Sequence, residues 1–165
     1  MQHPVVLALF AVLAAGAQTK ENHVTNQPLA IHAKCRGGEK CVFDGKDLFI
    51  DIAIVNQGTA PVGFPLVYRQ KTGPSIRLID TRTKAEAHLR TNPADPDMAN
   101  KFTQIGPGKS ATLEWVIKPS EIQQFAKPAI DLSAEITVGC KIEVNGKAED
   151  FLGVDTLRIV GQGTP

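Results

Sequence analysis

The chain is 165 residues long and carries 18 Lys and Arg against 17 Asp and Glu, a net charge of +1. That balance, with no basic cluster, argues against nucleic acid or an anionic membrane surface as partner, because both bind through concentrated positive charge. The length fits one domain with one hydrophobic core.

The first element is a leader. Val5 to Ala17 contains no charged residue and ends in Ala15-Gly16-Ala17, the small-x-small pattern that precedes a signal-peptidase cut. Residues 1–17 therefore read as a cleavable signal peptide, although Met1 to Pro4 lacks Lys and Arg. The apolar run is shorter than the about 20 residues that cross a bilayer core. No Cys stands at the cut to take a lipid, so the expected mature chain starts at Gln18, has no membrane span, and works in the periplasm or outside the cell. Residues 18–28 are polar and read as a flexible arm, and 161–165 as a loose tail.

From Leu29 onward, apolar and polar residues alternate with period two, the mark of half-buried strands. Leu29–Ala33 is the first. In Asp47–Asn56, Leu48, Ile50, Ile52 and Ile54 share one face. Leu66–Gln70, Ser75–Asp80 and Glu86–Leu89 follow. Ser110–Lys118 turns Ala111, Leu113, Trp115 and Ile117 inward, and Asp131–Val138 does the same with Leu132, Ala134, Ile136 and Val138. Lys141–Val144 and Thr156–Val160 complete about nine strands. Asp44-Gly45 and Asn145-Gly146 supply residues that tolerate the positive φ of tight hairpins, and Gly106-Pro107-Gly108 punctuates another strand end. No amphipathic helix of useful length separates the strands, so antiparallel connections are expected. One short helical turn is expected in residues 119–125, with Ser120 as its cap and Gln123 closing a capping box. The span Arg90 to Lys101, rich in Pro, Asp and Asn, reads as a long surface loop. The predicted fold is an all-β, antiparallel two-sheet sandwich over residues 29–160.

Three cysteines, Cys35, Cys41 and Cys140, suit an oxidising compartment, and their odd number leaves one over. Cys35 and Cys41 flank a short flexible link, which makes them the first choice of pair. A bridge from either to Cys140 is the alternative. Zinc is the weakest reading, with only His23, His32 and His88 to complete a ligand set.

Two segments carry a resemblance. Gly45 to Val62 contains a strand ending in Asn56-Gln57-Gly58-Thr59-Ala60-Pro61, and Ile105 to Trp115 contains a Pro-Gly-Lys-Ser turn leading into an aromatic-bearing strand. In outline this resembles the immunoglobulin-like sandwiches of exported bacterial proteins, of the proteinase-inhibitor and cell-adhesion types. The resemblance implies a fold and, more loosely, a binding role. The Cys, Trp, Cys arrangement of antibody domains is absent.

Chemistry-bearing patterns are few. No Gly-x-Ser-x-Gly elbow surrounds a serine, so a Ser-His-Asp hydrolase is not indicated. Gln18 and the isolated Met98 do not make a copper site, and no Asp-x-Asp-x-Asp-Gly loop offers calcium ligands. The chain is thus read as non-enzymatic, with no cofactor and no metal. An enzyme would instead gather His88 with Asp80 or Glu86 in a concave pocket. The residues best suited to bind a partner are Tyr68, Arg69 and Lys71, the last two sharing a face of a strand. Asn92, Asp95 and Asp97 of the long loop join them. Tyrosine and arginine combine buried area with directional hydrogen bonds at interfaces. The expected function is that of an exported module binding another protein outside the cytoplasm, such as an inhibitor or neutralising partner. Carbohydrate or small-ligand binding and envelope adhesion or assembly are the alternatives.

Overall fold

In the computed structural model, residues 27–38, 40–125 and 128–162 are described. The expected signal peptide, His23 and nearly all of the arm 18–28 lie outside them. Ten strands form two sheets. The small sheet has the order β1 (Leu29–Cys35), β3 (Leu48–Asn56), β8 (Ser110–Ile117), all antiparallel. The large sheet centres on two long strands, β9 (Ala129–Val144) and β10 (Lys147–Gln162). β2 (Cys41–Phe43) pairs with the far end of β10. On the other side of β9, β4 (Val62–Phe64) pairs near Val144 and β5 (Ser75–Asp80) near Thr137. β7 (Thr103–Ile105) extends from β4, and β6 (Glu86–His88) from β5. The order is that of an immunoglobulin-like sandwich.

The alternation read in the sequence is the reason for the core. Ile50, Ile52 and Ile54 of β3 and Leu132, Ala134, Ile136 and Val138 of β9 are fully buried, and Leu113 and Ile117 of β8 close the same layer. Stacked inner faces of this kind supply most of the stabilising apolar burial. Phe64 and Phe151 meet edge to face inside it, with ring centroids 6.3 Å apart. Gly153 sits where the small sheet presses on β10, because a Cβ there would lie 2.7 Å from Ile31. Asn56 explains the Asn-x-Gly motif. It is wholly buried, its Nδ2 donates to the carbonyls of Ala60 and Ile105 at 2.8 Å each, and its Oδ1 accepts from Gly58 N.

Several expectations need correction. Leu66–Gln70 is not a strand: Leu66–Thr72 is a helix, α1. It stands where a strand would have continued between β4 and β5, so β9 has no ladder partner on that side from Val138 to Ile142. Asp131–Val138 and Lys141–Val144 belong to one strand, because Gly139 and Cys140 stay paired to Leu152 and Phe151. Thr156–Val160 is the end of a much longer strand. The connections are not all antiparallel, since β2 runs parallel to β10. No crossover helix is needed for that pair, as the whole of the intervening domain is its connection. The long loop is not structureless either, holding a 3₁₀ turn at Pro96–Asn100. The helical turn near 119–125 is present as α2 (Pro119–Gln123), but Ser120 does not cap it. Lys118 N donates instead to the Glu121 carboxylate at 2.7 Å.

β1 and β2 belong to opposite sheets, and the chain changes sheets between Cys35 and Cys41, which are bonded to each other. Cys140 is free and half-buried.

Candidate functional site

A sandwich has two lateral sides, where the edges of its sheets face each other, and α1 decides the fate of one. Leu66, Arg69 and Thr72 turn inward at helical spacing, while Val67, Gln70 and Lys71 point out. Gln70 reaches the free edge of β8 and acts as a one-residue strand. Its Nε2 donates to Glu114 O at 2.8 Å, and Glu114 N donates to its Oε1 at 3.2 Å. Behind α1 the chain turns at Gly73, where φ is +78°, and the Trp115 indole lies on that glycine. Trp115 packs against the core as expected, but it is half-buried, and its ring also covers the end of α1 at Gly73.

The helix separates two predicted contact residues that a strand would have aligned. Arg69 is half-buried with its Nε unpaired, its charge disfavoured by desolvation, and it lies near Cys140. Lys71 is exposed on another side of the helix, and Tyr68 is half-buried. The loop residues come to the same neighbourhood, because the 3₁₀ turn packs on α1. Asn92 N donates to Thr72 O at 2.9 Å, and Asp95 caps the turn by accepting from Asp97 N at 3.0 Å. Asn92 is thus tied to the end of α1, and Asp95 and Asp97 belong to the 3₁₀ turn packed on that helix, while Tyr68, Arg69 and Lys71 sit on different sides of it. Burial pushes the Cys140 thiol up to about 11, with Arg69 pulling weakly the other way. It is a protonated structural thiol at neutral pH.

On the opposite lateral side β1 lies against β10 without pairing to it. β10 meets β9 along its whole length, but on its other edge it meets β2 only from Ile159 to Gly161. From Lys147 to Arg158 no strand among the described residues pairs with that edge. Leu152 and Val154 stand out from it, 59% and 58% exposed. Leu152 N–H points away from β9 and donates to Gln27 at 3.5 Å, and Thr156 N–H donates to the Asp155 carboxylate at 2.8 Å. The alternation of a strand then aims the Val154 N–H the same way. The other Asp155 oxygen accepts from Ala33 N at 2.7 Å, bridging the two sheets. Just beyond, a cleft of about 440 Å³ opens between Lys40, Cys41 and the Thr156 to Arg158 stretch. Sequence reading found only the last few residues of this strand. The signal available was the Asn145-Gly146 hairpin, which sets Val144 against Lys147 and commits the whole of Lys147–Gln162 to follow β9 in register.

His88 lies exposed on β6 opposite Arg77. Asp80 is buried in its own turn, accepting from the N–H groups of Arg82 and Thr83, and Glu86 pairs with Arg77 at 3.2 Å. These three side chains serve separate contacts. Phe49 is exposed on the small sheet, and the Arg36 guanidinium lies over its ring at 5.7 Å. Arg36 is itself held between Asp51 and Glu114. Among the described residues, no three His, Cys, Asp or Glu side chains converge as metal ligands do, and no helix is long and apolar enough to cross a membrane.

No protein-family model matches the chain, and no curated protein matches it in sequence. Solved structures resemble it in outline. A structural-genomics target is similar with a TM-score of 0.43 and 10% identity, over 84% of this chain and 88% of that one. A protein from Archaeoglobus fulgidus gives a TM-score of 0.37 and 12% identity, over 80% and 96%. An ASH/PapD-like domain of human CEP192 gives 0.36 and 8%, over 93% and 98%.

Proposed function

We propose that this protein is an exported, non-enzymatic protein-binding module that takes up a partner's extended segment along the free edge of β10. One observation carries the reading: from Lys147 to Arg158 a long strand edge with outward-aimed N–H groups has no ladder partner among the described residues, while α1 covers the other side. A strand added there would gain main-chain hydrogen bonds for affinity, with Leu152, Val154 and the neighbouring cleft selecting side chains. The disulfide at the sheet switch favours an oxidising setting, in keeping with the leader-like residues 1–17. As a second contact surface we propose α1 and the loop packed on it, with Tyr68, Arg69 and Lys71 from the helix and Asn92, Asp95 and Asp97 from the loop.

The test is recovery of partners from the native envelope by affinity purification, comparing the wild type with Val154→Pro. Proline at 154 removes an N–H that faces away from β9, so the β9 ladder is spared while strand addition is blocked. A specific partner bound by the wild type and lost with Val154→Pro supports the reading. Strong glycan-array binding with no protein partner would sink it.

A further inference from the structure

We propose that the segment seated on the β10 edge is the β10 edge of a second copy, so that two chains join antiparallel about a two-fold axis at Val154. This rests on the reading that the β10 edge accepts a strand, and it names the occupant. The observation is the order of side chains along the edge, Asp150-Phe-Leu-Gly-Val-Asp-Thr-Leu-Arg158. Four residues before Val154 is an exposed carboxylate, and four residues after it an exposed guanidinium.

An antiparallel pairing centred on Val154 sets Asp150 opposite Arg158 of the second copy twice, related by the symmetry. It also sets Leu152 opposite Thr156 and Val154 opposite itself. All five of these positions share the parity of Leu152 and Thr156, whose N–H groups point away from β9, so the facing residues would exchange main-chain hydrogen bonds. Hydrogen bonding and charge therefore select the same register.

The outer face then completes a charge row. Within one chain, Lys141 Nζ lies 2.7 Å from Asp150, and Arg158 Nε lies 2.9 Å from Asp131. Across the two-fold the row would read Lys141, Asp150, Arg158, Asp131, alternating in sign over four strands. Opposite charges on facing positions of a sheet attract and like charges repel, so a shifted register loses on both counts. On the inner face the same register would put Phe151 against the half-buried Leu157, and Asp155 opposite Gly153. The segment lacks the Lys and Pro with which soluble proteins usually blunt an edge strand. The two side-chain plugs on it, Gln27 at 3.5 Å and the local Asp155 bond, are of the kind an incoming carbonyl replaces.

Sedimentation equilibrium of the purified protein, with charge-reversed variants, tests this. The wild type should dimerise. Asp150→Arg places like charges at both symmetric contacts and should weaken dimerisation by about thirtyfold, as should Arg158→Asp. The first variant carries guanidinium groups at both positions 150 and 158, and the second carries carboxylates at both. Mixing them therefore sets opposite charges against each other at both contacts, so the equimolar mixture should form a heterodimer while each variant alone stays monomeric. That rescue also shows that each variant is folded. A wild type monomeric at every concentration, yet binding another protein in a Val154→Pro-sensitive way, overturns the self-pairing and leaves the strand-accepting edge intact. A dimer unaffected by Val154→Pro and by both reversals overturns the self-pairing as well. Absence of dimer and of Val154-dependent binding removes both readings.

Discussion

Breaking the Cys35–Cys41 bond is the perturbation whose size follows most directly from the geometry. The bridge closes a loop with a sequence separation of 6, and the chain-entropy relation for so short a loop gives about 2 kcal/mol of stabilisation at 25 °C. For a domain of this size that corresponds to a fall of about 8 °C in Tm. The loss should be local in origin. β2 is held to the large sheet by only three residue pairs, Cys41 to Phe43 against Ile159 to Gly161, and the bridge fixes the point where the chain enters it. Urea unfolding of the Cys35→Ser, Cys41→Ser double variant against the wild type measures the stability. Hydrogen exchange should show faster opening of β2 while the centre of β9 keeps its protection. An unchanged urea midpoint would refute the entropic argument. Peptide mapping that found Cys140 bridged to either partner would refute the topology, since Cys41 sits in the row of Ile159 and Leu132. Cys140 lies eight residues further along β9, roughly 26 Å away at the rise of a strand.

Gly73→Ala should destabilise by about 3 kcal/mol, combining the cost of a side chain at positive φ with overpacking of the indole. The new Cβ would fall 2.5 Å and 2.7 Å from Trp115 Cζ2 and Cζ3, so a red-shifted tryptophan emission should accompany the lowered midpoint. Unchanged fluorescence and stability would contradict the packing of α1. Cys140 should alkylate about a hundredfold more slowly at pH 8 than an ordinary thiol, because its pKa is raised to about 11 by burial. The rate should keep climbing as pH approaches that value, and iodoacetamide kinetics followed by mass spectrometry reads it. Asp80 is held below the ordinary carboxylate range, chiefly by the Thr83 N–H and then by that of Arg82, against an opposing desolvation. A lowered folded pKa gives stability that is present above the ordinary range and lost as pH falls through the folded value. Acid unfolding of Asp80→Asn should therefore show less pH dependence below about pH 4 than the wild type.

The strands that sequence reading placed well are those with one buried and one solvated face. In β3, β8 and the first part of β9 the alternation survives because every second residue meets the opposite sheet. It fails where that geometry fails. Val62–Phe64 is buried on both faces, and three residues without alternation carry no period. Leu66–Thr72 is shorter than two helical turns, and its inner positions are Leu66, Arg69 and Thr72, of which only one looks like core. That single misreading also put Arg69 and Lys71 on one face. The neighbourhood of α1 with the loop that holds Asn92, Asp95 and Asp97 was legible only as two separate segments. What joined them was the packing of the 3₁₀ turn on α1, a contact with no local signal. The β10 edge was hidden for a different reason. Lys147 to Asp150 is exposed and holds no large apolar residue, and Gly153 interrupts the apolar pattern where Ile31 of the other sheet presses on the strand.

The other edges of the sandwich make the openness of β10 informative. β2, β6 and β7 are three-residue strands, too short to template a partner. β8 is plugged by Gln70, and β1 is tied at Ala33 to the Asp155 carboxylate of β10 itself. Short edges and inward carboxylates are the usual means by which soluble β proteins avoid pairing with one another. β10 carries one such carboxylate, Asp155, yet among the described residues it is the long edge with no ladder partner over most of its length, and on its outer face it places apolar side chains flanked by opposite charges. An edge left open by neglect would carry charges in no particular order. An order that reads the same from both copies is what a two-fold contact requires.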